Sequence, residues 1–114
     1  MSQSPISIVR VTVSLLREMF NKERYVERAT RGEIQQVITR EGAPRGIELP
    51  TGSVSQTVSY RDENNRELAR AHQYLLPDGT LGASGKPDPK RILHEGKLYR
   101  LEKSSKTQDA DVRT

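Results

Sequence analysis

The spacing of apolar side chains changes at Val54, and that change decides the fold class. Before it, Ile6, Val9, Val13, Leu16 and Phe20 recur at steps of three and four, and Ile34, Val37 and Ile38 do so again. Such spacing gathers apolar groups on one stripe of a helix. From Val54 onward the period is two: Val54, Gln56, Val58 and Tyr60 alternate with Ser55, Thr57 and Ser59. That is the pattern of a half-buried strand. Helical segments followed by strands and tight turns pack as helices on a sheet. The sequence therefore predicts an α+β domain over residues 4–102, with two N-terminal helices packed on a small antiparallel β-sheet. A disordered polar tail is expected over 103–114, where Val112 is the one large apolar residue.

Local signals set the expected boundaries. The first helix is placed at 5–20, with Ser4 as cap and Pro5 in the first turn. A β-branched cluster in the same stretch (Ile6, Ile8, Val9, Val11, Val13) argues for a strand instead. The second helix is placed at 31–41. There Thr30-Arg31-Gly32-Glu33 fits a capping box, and Gly42 with Pro44 provides a stop. Residues 42–53 read as a loop. Asp62-Glu63-Asn64-Asn65 is turn chemistry. Residues 66–76 fit either period and are read as a strand, because a hairpin follows naturally from the preceding strand and turn. Pro77-Asp78-Gly79 fits a type I turn. Asp88-Pro89 reads as the start of a short helix over 89–95 ended by Gly96, with a hairpin turning at Glu95-Gly96 as the rival. Residues 97–101 read as a short strand.

Composition narrows the function classes. Leu, Ile, Val and Phe together make 25 of 114 residues, which is a thin core. Cysteine is absent, so disulfides, thiolate nucleophiles and cysteine zinc sites are excluded. A thin core without such staples points to a reducing cytoplasm. No run is apolar enough to span a bilayer, and no secretory signal pattern is present, so a membrane association is not expected. The net charge is +4, spread evenly rather than gathered in a basic arm.

Three constellations could carry chemistry. The loop Gly79-Thr-Leu-Gly-Ala-Ser-Gly-Lys86 could cup an anion, with the amides of Gly82 and Gly85 as donors and Lys86 as a point charge. It lacks the spacing of a Walker A loop. Evenly spaced glycines can equally serve only a crossover that needs positive φ. His72 and His94, the two histidines, could act as acid and base in RNA cleavage beside Lys86, Lys90 or Arg70. Their spacing matches no metal site, and the plain alternative places them in strand and helix-end environments. Tyr60 and Tyr74, with Arg61, Arg70 and Arg100, could form a stacking platform for a single strand. In a chain with one Phe and no Trp, they could equally be core.

The stretch from His72 to Lys90, with Gly96-Lys-Leu-Tyr99, resembles small uncharacterised prokaryotic proteins. The resemblance implies a bacterial or phage origin and attaches no activity.

The leading expectation is a small basic, non-catalytic, cytoplasmic binding protein that contacts nucleic acid or an acidic protein and needs no cofactor or metal. Its expected anion-binding residues are Lys86, Lys90, Arg91, Arg70, Gly82 and Gly85. One alternative is a toxin-like endoribonuclease using His72 and His94. Another is an accessory subunit, or a homodimer, docking through its first helix.

Overall fold

Val9 and Val11 lie on a strand, not on a helix, in the computed structural model, which describes residues 7–102. This first strand, β1 (Ser7–Val11), is followed by α1 (Val13–Glu23) and α2 (Tyr25–Thr30). Five further strands complete the chain: β2 (Gln35–Gly42), β3 (Val54–Arg61), β4 (Glu67–Leu75), β5 (Asp88–His94) and β6 (Lys97–Leu101). The β-branched cluster thus prevails over the helical stripe for its first half. Thr12, not Ser4, caps the helix, accepting from the Leu15 amide at 3.1 Å. Ser4, Pro5, Ile6 and the tail 103–114 lie outside the described residues.

In place of the two expected helices stands one helix, Val13–Glu23 with Tyr25–Thr30, bent at Arg24. That residue takes a left-handed φ of 55° between α1 and α2. The expected helix over 31–41 is the edge strand β2. Thr30-Arg31-Gly32-Glu33 sits at a helix end rather than a start. Gly32 (φ 82°) donates to Ala29 O, and Glu33 N donates to Arg28 O. These two bonds form a Schellman closure, which needs a residue that tolerates left-handed backbone.

The remaining strands follow the alternating pattern closely. Val54 begins β3, residues 67–75 form a strand, and the Asp62 carboxylate caps the turn between them by accepting from the Asn64 and Arg66 amides. Gly79 N donates to Leu76 O at 2.9 Å, closing the expected turn at Pro77. The short helix expected over 89–95 is β5, and the hairpin rival holds. Glu95 (φ 52°) and Gly96 (φ 79°) make the two-residue turn whose twist matches antiparallel strands.

The six strands form one sheet in the order β1-β6-β5-β4-β3-β2. All neighbours are antiparallel except β1 and β6, which run parallel. The sheet is therefore larger than expected and mixed at one edge. The bent helix covers one face, chiefly over β5 and β6. Leu16, Phe20 and Tyr25 of the helix pack against Val58, Tyr60, Ala69, Ala71 and Ile92 of the sheet. Phe20, Tyr25 and Tyr60 stack with ring centroids 5.4–6.0 Å apart. Small Ala69 and Ala71 on the central strand leave room for these rings. Among the described residues no helix is long and apolar enough to cross a membrane.

Candidate functional site

Strand alternation sends one side-chain set under the helix and the other to the opposite face, which is helix-free among the described residues. Register then aligns that second set across strands. Arg10 of β1 pairs with Arg100 of β6, Arg100 with Arg91 of β5, and Arg91 with Arg70 of β4. Four arginines therefore stand side by side across four strands, over about 14 Å at the usual strand spacing of about 4.8 Å. Their neighbours along each strand, Val9, Val11, Tyr99, Ile92, Ala69 and Ala71, point to the helix side and pack in or against the core.

One carboxylate holds part of this row together. Glu67 Oε1 lies 3.0 Å from Arg70 Nη2 and 3.7 Å from Arg91 Nη1. Glu67 Oε2 accepts from Arg70 Nε at 3.1 Å and from the buried Ser59 hydroxyl at 2.6 Å. Arg61 Nε donates to the same hydroxyl at 2.9 Å. A register shift after Tyr60 pairs Arg61 with Glu67 and so aims the carboxylate at the row. Partial burial, then the neighbouring Arg70 and Arg100, lower the Arg91 pKa from its ordinary value. Among the described residues, neither Arg10 nor Arg100 has a carboxylate within salt-bridge distance. The row is thus a local excess of positive charge on a molecule whose overall charge is only +4.

The expected glycine-lined site is divided by the structure. Lys86, Lys90 and Gly82 line a hollow of about 260 Å³ at the start of β5. Asp88 occupies the same hollow and pairs with Lys90 at 3.2 Å and with Arg17 at 3.3 Å. Arg70 and Arg91 belong instead to the arginine row. Gly85 lines a different hollow beside Phe20, Tyr25 and Lys86. The glycine amides are not free donors: Gly82 N bonds Tyr74 O at 2.8 Å, and Gly85 N bonds Gly82 O at 3.0 Å. The Gly82 amide ties the loop back to β4, and the Gly85 amide closes a turn within the loop. At Gly82 a Cβ would come within 2.8 Å of Leu76 Cδ2, so close packing explains that glycine.

The two histidines are kept apart. His72 pairs with Asp88 at one end of β5, while His94 pairs with Lys97 at the other. Six strand steps separate those positions, on the order of 20 Å. They also face opposite sides: His94 approaches Glu23 of α1 at 3.9 Å, whereas His72 shares the helix-free face with Arg70. No single phosphate could lie between them. The tyrosines divide as well. Tyr60 is fully buried, and Tyr74 lies on the arginine face, with its ring edge-on to His72 at 4.7 Å.

Arg10, Arg100 and Glu67 complete the row beyond the anion-binding residues that sequence reasoning selects. The signal for the two arginines lies in Val9-Arg10-Val11 and Tyr99-Arg100-Leu101, where an arginine takes an outward slot between inward apolar residues.

Compared with known proteins, the chain matches no family model, no curated protein and no solved structure.

Proposed function

We propose that the protein is a non-catalytic binding protein for nucleic acid, contacting phosphates through the arginine row. The observation that carries this reading is the in-register alignment of Arg10, Arg100, Arg91 and Arg70 on a face that no helix covers among the described residues. Guanidinium forks match phosphate oxygens and keep their charge throughout the accessible pH range. Strand pairing spaces them at regular intervals of about 4.8 Å along a path that a phosphate chain can follow. The one carboxylate in the row serves Arg70 and Arg91, and among the described residues no carboxylate pairs with Arg10 or Arg100. Lys90 adds a further cation beside the row, discounted by its pairing with Asp88.

A labelled oligonucleotide tests this reading. Four phosphate contacts imply that log affinity falls against log salt with a slope of about −3 on a single strand and about −3.6 on a duplex. Arg100→Ala should reduce the slope by about one. Absence of binding at low salt removes the proposal.

A further inference from the structure

Next to the arginine row lies a second feature that phosphate binding alone does not use. Toward the C-terminal end of β4, this face dips into a hollow of about 520 Å³, whose lining includes Arg40, Glu41, Arg45, Ser55, His72 and Tyr74. We propose that this hollow receives a base of single-stranded nucleic acid, stacked against Tyr74 and His72, while Arg40 and Arg45 hold a flanking phosphate. The inference rests on the phosphate-binding reading above and adds what that reading leaves open: the single-stranded form of the partner.

The geometry carries it in four steps. First, the rings are fixed before any ligand arrives. His72 Nε2 lies 2.6 Å from the Ser55 hydroxyl, and Tyr74 meets the His72 ring at an interplanar angle of 85°. A preset aromatic corner offers a flat surface to a planar ligand at small entropic cost. Second, the cations there are uncompensated. Neither Arg40 nor Arg45 has a carboxylate within salt-bridge distance among the described residues. Glu41 also lines the hollow, but its carboxylate accepts from Gln56 Nε2 at 2.7 Å and pairs with neither arginine.

Third, a β-bulge places Arg40 here. The register shifts between Ile38 and Arg40, so that Arg40 pairs with Thr57 and joins the face of His72. Fourth, the hollow continues the row. His72 is the next outward residue after Arg70 on β4, about 7 Å along the strand. A phosphate chain on the arginines therefore delivers its next nucleotide to the hollow. The volume suits one nucleotide and falls in the range of small-ligand sites. Bases inside a duplex are stacked on each other and cannot enter it.

The test uses the full chain and a short single-stranded DNA carrying 2-aminopurine, whose fluorescence changes on stacking. Wild type should quench the probe and bind the single strand more tightly than the matching duplex. Tyr74→Ala should lose the quenching and weaken single-strand binding about 5- to 100-fold, with the salt slope unchanged. Tyr74→Phe should restore both. If Tyr74→Ala fails to fold, Arg45→Ala on the loop replaces it, and is expected to lower both the slope and the quenching. Quenching and affinity unaltered in the folded variant, or equal binding of duplex, would overturn the base site while leaving the phosphate reading intact. Loss of all salt-dependent binding in the wild type removes that reading and, with it, the base site.

Discussion

Arg70 and Arg91 are direct cross-strand partners of like charge, and Glu67 touches both guanidinium groups. Like charges facing each other on a sheet destabilise it. The carboxylate offsets that repulsion and dilutes the field the row presents. Glu67→Gln should therefore act in two directions. Thermal stability should fall by on the order of 1 kcal/mol, because the pairs are only partly shielded from water. Oligonucleotide binding at low salt should tighten. Parallel melting and salt-titration measurements on one preparation check this. A variant that loses stability and also loses affinity would mean that Glu67 orders the arginines rather than competing for them.

The helix stop at Gly32 can be examined by comparing two glycines. Gly32 has a φ of 82° and open space around it, so an added methyl meets no atom but must adopt left-handed backbone. Gly32→Ala should cost about 1 kcal/mol, some 4–8 °C in melting temperature. Gly42 has neither a positive φ nor a near neighbour, and Gly42→Ala should change stability by under about 0.5 kcal/mol. Equal melting temperatures for the two variants would contradict the Schellman assignment.

Tyr60 is fully buried, and its hydroxyl has no hydrogen-bond partner among the described residues. Burial pushes its pKa up to about 12. An unpaired buried hydroxyl costs free energy that a hydrogen atom in its place does not. Tyr60→Phe should stabilise the protein by about 1 kcal/mol, and Tyr60→Ala should cost about 3–5 kcal/mol because it empties the aromatic cluster. Urea unfolding of both variants measures this. A less stable Tyr60→Phe would reveal a partner for the phenol.

His72 gives stability a dependence on acid. Its pKa lies below the ordinary 6.5, chiefly because of desolvation and then because of nearby Lys90, against an opposing effect of Asp88. The unfolded chain therefore binds the proton more readily than the folded one. Stability should fall as pH drops from about 6.5 through the lower folded value, and it should be unaffected by this group above that window. His72→Gln should flatten that part of the profile. Denaturation midpoints at stepped pH values decide it, and an unchanged profile would refute the assignment to His72.

Much of the sheet was legible in the sequence, and the reasons are local. From Val54 to Tyr60 an apolar-polar alternation has no competing helical interpretation, and the Asp62 and Pro77 turns depend on neighbouring residues only. The errors fall where two periods coincide. Ile34 and Ile38 are four apart, a step that keeps one face in a strand as well as in a helix. In the first segment, Val9 and Val11 belong to β1 and Leu16 and Phe20 to α1, so the apparent stripe joined two elements; Val13, in its middle, is 45% exposed. The arginine row was illegible for a different reason. Arg10, Arg70, Arg91 and Arg100 are far apart in the chain, and only strand order and register bring them together. Charge counts could show that cations are in slight excess, but not that four of them share a line.

The parallel pairing of β1 with β6 joins the first and the last of the described strands, Ser7–Val11 and Lys97–Leu101. Strands β2 to β6 can zip in sequence as successive hairpins and antiparallel neighbours, each closing a modest loop. The opening strand must wait until about ninety residues have followed it, since its register partner for Val11 is Leu101. Distant pairings of this kind form slowly. Without that pairing one end of the arginine row is missing, so the full line of positive charge depends on a contact between chain segments about ninety residues apart.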